Sequence, residues 1–381
     1  MQASDLATFW LEPVLSLRDR LVASPRFRQW AAANPLTRPI ARRQARSLFD
    51  ITAGFVYSQV LAACVRLQLF DVLAAGPQSV PVLAQRLGLS EEATSRLLQA
   101  AGSLRLVSRR RGGRWGLGPL GAAMIGNPGI AAMVEHHAML YADLKEPLAL
   151  LRQEGGARQL ENYWSYAKAE EPANLPAERV GAYTQLMGTS QTMISQEILA
   201  AYPLDKHRAV LDVGGGDGTF LMAAGEKAPH LRLMLFDLPP VAARAQQRFA
   251  DKGLGERALA LGGDFLRDPL PQGADLITLV RIVHDHPDEA VMTLLRAARV
   301  ALPQDGKLLI AEPMAASPAS EPASDAYFGF YLMAMGRGRP RSVPEIRTML
   351  RRAGFARTRL LPSPTPVLAR VLVATPDHSN V

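Results

Sequence analysis

The sequence predicts a chain in two parts: an α/β domain built on a parallel sheet and, ahead of it, a mostly helical module closed by a hairpin. Three observations lead there. From Lys206 onward short apolar runs alternate with helical stretches, as strands and crossover helices do in a parallel sheet. A glycine run, Gly214, Gly215, Gly216 and Gly218, follows the first of those strands. Before residue 120, patterns of helix, turn, helix and hairpin succeed one another in the order of a winged helix. A length of 381 residues exceeds what one hydrophobic core serves and leaves room for both parts.

Residues 1–46 read as a basic arm. Pro13, Pro25, Pro35 and Pro39 are expected to break it into short helices. Arg18, Arg20, Arg26, Arg28, Arg38, Arg42, Arg43 and Arg46 crowd this stretch in a chain of net charge +8. Such a face either only solvates the protein or draws it to an anionic surface, and Trp10, Phe27 and Trp30 among the arginines favour a peripheral membrane contact.

Residues 47–120 read as the winged-helix module. Leu48, Ile51, Phe55, Val56, Val60, Leu61 and Leu67 recur at helical spacing between Ser47 and Phe70. Val80 to Leu87 is a short helix stopped at Gly88, and Ser90 is the N-cap of a second helix through Leu104. Arg105 to Leu117 then alternates across Gly112-Gly113, as a hairpin would. Its Arg109, Arg110, Arg111 and Arg114 would suit a DNA-binding regulator, but the same module serves dimerisation when fused to an enzyme, and no nucleic-acid partner is expected.

Residues 121–205 form a helical connector contributing to a substrate pocket, with loop signals at Gly155-Gly156 and Pro172 to Pro176. Residues 206–381 hold the sheet. Its expected strands are Ala209 to Val213, Arg232 to Asp237, Ala258 to Gly262, Asp275 to Arg281 and Lys307 to Glu312, with an antiparallel strand near Leu368 to Thr375.

Composition excludes several classes. With 48% apolar residues and both charge signs spread along the chain, it is neither disordered nor collagen-like. The single cysteine, Cys64, rules out an intramolecular disulfide framework and reads as a small buried hydrophobe. No apolar run is read as reaching the roughly 20 residues of a membrane span, and the start lacks a signal-peptide layout, so a cytoplasmic location is expected.

The chemistry concentrates at the carboxyl ends of the strands. A strand that runs into a glycine loop lets the backbone approach a nucleotide-like ligand, and an acid closing the second strand, here Asp237, holds ribose hydroxyls. A dinucleotide fingerprint would place a small residue where Thr219 stands. The spacing is instead Asp212-x-Gly214-x-Gly216-x-Gly218, which needs no pyrophosphate cradle. Gly263, Asp264 and Phe265 follow the third strand. The fourth delivers Arg281, then His284, Asp285 and His286. A histidine there can take a proton from an acceptor hydroxyl. Metal ligation by three consecutive residues is the rival, but they cannot easily converge on one ion, and no metal is expected. Glu312 closes the next strand and is expected to accept a hydrogen bond from the second ring nitrogen of His284.

Taken in order, the glycine motif, Phe236-Asp237-Leu238-Pro239, Gly262-Gly263-Asp264-Phe265, His284-Asp285 and Ala311-Glu312-Pro313 behind a winged helix resemble the family-2 O-methyltransferases, members of the class I methyltransferases with a Rossmann-like fold. The resemblance covers about residues 47–375. It implies a homodimer interlocked through the N-terminal helices and S-adenosyl-L-methionine as cofactor, with contacts at Asp212, Gly214, Gly216, Gly218, Asp237, Asp264, Phe265 and Arg281. It also implies His284 as the base, with Asp285 and Glu312 beside it. Plant members carry a second glutamate flanking the base, where this chain has Pro340 in Gly338-Arg339-Pro340-Arg341-Ser342, which casts doubt on a phenolic acceptor. The opening segments, including Ser16 to Phe27 and Phe49 to Val60, are similar to the branch that methylates tertiary hydroxyls of carotenoids. A hydrophobic, hydroxylated acceptor of that kind needs an apolar channel, for which Tyr163, Met187, Phe330 and Met333 are the candidate wall, near Phe328, Tyr331 and Met335. A phenolic or polyketide hydroxyl is the alternative acceptor.

Overall fold

The computed structural model describes residues 3–154, 156, 158–163, 188, 191–316, 322–363, 365–366 and 369–376, with side chains from residue 11 onward and Pro322 excepted. The chain forms two compact units, Met1–Ala122 and Ala123–Val381.

In the first unit α1 (Ala3–Ala23), α2 (Pro25–Ala33) and α3 (Arg38–Arg66) follow one another. Two of the arm's prolines start helices instead of breaking them: Pro25 and Pro39 stand at the first positions of α2 and α3, where the missing N–H would have no partner anyway. Pro13 lies inside α1, which continues past it, a correction to the expected short pieces. Ser24 caps α2, accepting from the Phe27 N–H, and Arg28 Nη1 donates to the last carbonyls of α1, Val22 and Ala23, at 2.9 and 2.8 Å. α3 starts at Arg38, so the expected Ser47 start is nine residues late. It ends where Gln68 turns left-handed at φ 51° and begins α4 (Leu69–Ala74). By length and composition alone α3 could cross a membrane, which corrects the reading that no segment could.

α5 (Val80–Leu87) stops at Gly88, whose φ of 66° suits glycine, and Ser90 caps α6 (Glu91–Ser103) by accepting from the Ala93 N–H at 3.1 Å. β1 (Val107–Arg109) pairs antiparallel with β2 (Trp115–Leu117). The hairpin arginines partly serve the ribbon itself: Arg109 stacks on Trp115 at 5.2 Å, and Arg110 Nη2 donates to the Leu117 carbonyl. α7 (Pro119–Ala122) closes the unit.

The second unit begins with α8 (Pro128–Asp143), α9 (Pro147–Leu151), α10 (Gln159–Tyr163) and α11 (191–201). The sheet then takes the order β5-β4-β3-β6-β7-β9-β8. Its strands are β3 (Ala209–Val213), β4 (Arg232–Asp237), β5 (Ala258–Gly262), β6 (Leu276–Val280), β7 (Lys307–Glu312), β8 (Phe355–Leu360) and β9 (Arg370–Pro376). The first five run parallel; β9 pairs antiparallel with β7, and β8 with β9. β8 is a strand the sequence reading did not anticipate, because Phe355-Ala356-Arg357-Thr358-Arg359-Leu360 is mostly solvent-facing, as an edge strand can be.

Helices α12 (Thr219–Lys227), α13 (Pro239–Asp251), α14 (Asp288–Ala301) and α16 (Val343–Arg352) cover the sheet, and α15 (Phe328–Met335) follows a short π-helical turn, Pro322–Tyr327. β3 and β6 are buried along their whole length. Alternate residues serve opposite faces: Leu211, Val213, Ile277 and Leu279 join the core under α14 and α16, while Val210, Leu276 and Val280 join the one under α12 and α13. Each such side chain contributes about 1.5–3 kcal/mol by leaving water. Strand order reverses between β3 and β6, and in open α/β sheets ligands bind beyond the strand ends at such a crevice.

Candidate active site

The turn after β3 is held open by its own backbone. Gly214 and Gly216 have φ of 67° and 60°, and Gly218, at 80°, caps α12. A side chain at Gly214 would strike Ile282, and one at Gly218 would strike Phe249, whereas Gly216 faces open space. Asp237, at the end of β4, accepts the Gly216 N–H at 2.8 Å and the Leu238 N–H at 2.7 Å. Those two bonds occupy half of a carboxylate's roughly four acceptor positions, leaving capacity for two hydroxyl donors. Burial drives its pKa up, the two N–H donors oppose that, and the result lies at about 6.

Asp212 is 1% exposed. Its Oδ1 accepts from Thr278 Oγ1 at 2.7 Å, while Oδ2 is buried without a hydrogen-bond partner among the described residues. Burial raises its pKa, the Thr278 hydroxyl counteracts, and the neighbouring Asp237 charge adds to the rise, to about 7. An orphaned buried carboxylate oxygen beneath an open glycine turn is the demand that a cationic ligand with an amino group answers. These residues therefore fit S-adenosyl-L-methionine. Asp264 is tied locally, accepting from the Leu266 N–H at 2.9 Å, and the Phe265 ring stands edge-on to His286 at 5.1 Å.

Beyond β6 the chain turns abruptly. Arg281 takes φ 58°, an uncommon conformation for a residue with a side chain, and its N–H donates to the Ala311 carbonyl. A single 3₁₀ turn, Val283–Asp285, carries His284. Both imidazole nitrogens meet carboxylates: Nε2 lies 3.1 Å from Asp285 Oδ1, and Nδ1 lies 3.4 Å from Glu312 Oε2. Glu312 is fully buried and accepts the His284 backbone N–H at 2.9 Å, so it anchors the main chain of the turn while its charge faces the ring. Burial alone would depress the His284 pKa. The charge and hydrogen bond of Asp285, then those of Glu312, outweigh it and lift the pKa to about 9. His286 goes the other way, to about 4, chiefly through burial.

Reading the sequence missed what holds this turn. Arg341 is 0% exposed. Its Nη1 donates to the Val283 carbonyl at 2.6 Å and its Nη2 to the His286 carbonyl at 2.7 Å, on either side of the His284-Asp285 pair, while Nε and Nη2 bind Asp288 Oδ1. From the same segment the Arg339 N–H donates to the His284 carbonyl at 2.9 Å, and a side chain at Gly338 would collide with that carbonyl. Nothing in the spacing of Gly338-Arg339-Pro340-Arg341 marks a buried clamp; only the fold brings it 55 residues back along the chain to His286.

Next to His284, with ring centroids 6.1 Å apart, lies Phe328. Phe328 is also part of the wall of a mostly apolar cavity of about 540 Å³ that includes Ile130, Met133, Arg281, Tyr327 and Tyr331. Of the residues expected to line an acceptor channel, Phe330 and Met333 pack against the cluster of Leu140, Leu150, Leu160 and Tyr331. Tyr163 stands 5.3 Å from the His136 ring, and Met187 lies outside the described residues. Phe328 and Tyr331, three apart on α15, line the cavity together. Among the described residues no His, Cys, Asp and Glu cluster is arranged to hold a metal ion.

Comparison with known proteins agrees with this geometry. The O-methyltransferase domain family matches residues 141–356, and the O-methyltransferase dimerisation domain family matches residues 49–127, which include most of α3. The chain is 43% identical over 355 residues, 93% of either length, to a demethylspheroidene O-methyltransferase of Cereibacter sphaeroides. It is also 43% identical over 358 residues to the protein of that name from Rhodobacter capsulatus, covering 93% of this chain and 88% of the relative. Acetylserotonin O-methyltransferase of Mus musculus molossinus is 33% identical over 84% of this chain and 85% of its own. In fold, human N-acetylserotonin methyltransferase solved with S-adenosylmethionine superposes with a TM-score of 0.72 at 24% identity, over 87% of this chain and 97% of its own. By its sheet, its glycine turn and its matches along most of its length, the chain belongs to the S-adenosylmethionine-dependent O-methyltransferases.

Proposed function

We propose that this enzyme methylates the tertiary hydroxyl of a 1-hydroxycarotenoid, acting as a homodimer. The observation that carries the reading is the apolar cavity that meets His284 through Phe328. The 43% identity to two demethylspheroidene O-methyltransferases supports the same acceptor class. When bound, S-adenosylmethionine supplies an electrophilic methyl group on a sulfonium and leaves as a neutral thioether. Asp237 would hold its ribose hydroxyls, the backbone of Gly214 to Gly218 its methionine part, and Asp212 its amino group. His284 takes the hydroxyl proton, Asp285 and Glu312 stabilise the resulting imidazolium, and Arg341 fixes the turn on which all of this depends. Positioning carries much of the acceleration, since an acceptor held in line reacts as though at very high concentration. A dimer would give the exposed face of α3, with Leu48, Phe49, Ile51 and Phe55, a second chain to pack against.

The arm extends the reading to a lipid surface. Leu11, Val14, Leu17, Trp30, Leu36 and Ile40 are exposed on segments rich in arginine, the mixture that settles into an anionic interface. We place the enzyme peripherally on the cytoplasmic face of a membrane holding its acceptor.

Purified protein incubated with methyl-labelled cofactor and either a 1-hydroxycarotenoid or catechol tests the acceptor. Label in the carotenoid is the expected result, and label in catechol alone would replace this acceptor with a phenol. Flotation with vesicles containing phosphatidylglycerol tests the arm. Full-length protein is expected to float and protein lacking residues 1–46 to stay behind; equal flotation would refute the contact.

A further inference from the structure

α8 and the α15 region are joined by two phenol–imidazole pairs that the chemistry above leaves unused. His136 Nε2 lies 2.8 Å from Tyr331 Oη, and His137 Nε2 lies 2.7 Å from Tyr327 Oη. Both tyrosines belong to the cavity wall; Tyr331 is 6% exposed and His136 5%. Burial first, and then the neighbouring His137, lowers the His136 pKa to about 4, so its ring is neutral across the physiological range.

A neutral imidazole carries one N–H, and its place follows from the partners. His136 Nδ1 is buried with no hydrogen-bond partner among the described residues. An N–H stranded there would be a worse defect than a bare ring lone pair, since orphaned buried donors are rarer than under-used acceptors. The proton therefore sits on Nε2 and is donated to Tyr331 Oη. The phenol oxygen is the acceptor in that bond, which leaves its own O–H with the cavity before it.

We infer that Tyr331, oriented by His136, is the hydrogen-bond donor that receives the acceptor's hydroxyl oxygen. This deepens the proposed function and rests on it for the kind of acceptor. An alcohol oxygen has one proton and two lone pairs. The proton goes to His284 and leaves its electron pair on oxygen; one pair forms the new bond to carbon and two remain, so in a mostly apolar cavity they call for a donor. Phe328, three residues earlier on the same face of α15, lies beside the His284 ring, so Tyr331 and the base belong to the same end of the cavity. A phenol braced from behind is both neutral and fixed. His136 is the positioning residue of the pair, and Tyr331 the binding one.

The test is a difference between two ligands. Affinity is measured for a 1-hydroxycarotenoid and for the same polyene lacking the hydroxyl, with wild type and with Tyr331→Phe, which keeps the ring. Wild type should favour the alcohol about ten-fold, the worth of one buried neutral hydrogen bond, and Tyr331→Phe should erase that preference with unchanged cofactor affinity. His136→Leu should behave like Tyr331→Phe, while His136→Gln, whose amide N–H can reach the same oxygen, should retain much of the preference. A Tyr331→Phe protein that still prefers the alcohol, or that loses both ligands equally, overturns the inference. If wild type methylates a phenol but no carotenoid, the acceptor class is wrong. The same ratio measured with a naphthol and naphthalene then decides Tyr331 separately.

Discussion

Replacing Asp285 by asparagine should move the pH dependence of turnover down the scale without dismantling the site. Asp285 Oδ1 stands 3.1 Å from His284 Nε2, and the two residues are 7% and 4% exposed. Across that distance a unit charge pair is worth about 1 kcal/mol at the dielectric of water and about 5 kcal/mol at an effective protein dielectric of about 20. At about 1.4 kcal/mol per pH unit, loss of the charge lowers the imidazole's titration by about one to four units. The sign follows from the role. A carboxylate beside the ring favours imidazolium, and the working base is the neutral ring, so the wild-type kcat/KM should climb with pH towards about 9 and level above it. In Asp285→Asn the limb should level between about pH 5 and 8.

The assay is labelled methyl transfer at subsaturating acceptor across pH 5 to 10, with His284→Ala as the control. His284→Ala should lose the limb and about 10² to 10⁴ of the turnover while keeping cofactor affinity. A limb that stays at the wild-type pH in Asp285→Asn, or moves upward, would show that Asp285 does not set the state of the base.

Three further outcomes follow from the same geometry. Arg341→Lys keeps the charge but cannot bind two carbonyls and Asp288 at once, so kcat should fall about ten- to hundred-fold while the cofactor dissociation constant stays put; loss of cofactor binding and melting temperature with kcat intact would make Arg341 merely structural. Cofactor affinity should weaken as pH is lowered through 7 and then 6, because Asp212 and Asp237 must be ionised to hold a cation and hydroxyl donors, and calorimetry of Asp237→Asn should show the lower of those steps removed. Thermal stability contributed by the His284 pair is present in full below about pH 6.5, where the unfolded imidazole is also charged, and is lost as pH rises through about 9, so His284→Ala should flatten the melting-temperature profile over that window.

What the sequence displayed of all this depended on period. Its five expected parallel strands, Leu276 to Val280 among them, are largely apolar runs of the kind parallel sheets require, and the glycine turn announces itself because only glycine tolerates its backbone. His284, Asp285 and Glu312 could be placed at strand ends for the same reason. Invisible were contacts made by residues distant in sequence whose local pattern is ordinary. Arg341 reads as one basic residue among several, and Tyr331 as one aromatic in an apolar stretch. His136 is half of a His-His pair in an unremarkable helix, and its partner lies 195 residues on. Asp285 was legible as a candidate but not in its geometry, because a side chain adjacent in sequence rarely reaches the ring beside it; the 3₁₀ turn permits it.

That turn also bears on the acceptor. A base lifted to about 9 is largely protonated near neutrality, with about one molecule in a hundred carrying the free ring at pH 7. For a phenol this would be a poor arrangement, since a phenol surrenders its proton readily and a base of ordinary strength, present in far greater fraction, would serve. A tertiary alcohol is much less acidic, and a stronger base takes a larger share of its proton in the transition state. A base raised in this way exchanges abundance for strength, a trade that serves an unactivated hydroxyl. The missing second glutamate points the same way: Pro340 offers no proton acceptor where the plant members carry one. The two lines come from different segments of the chain and converge on one acceptor chemistry.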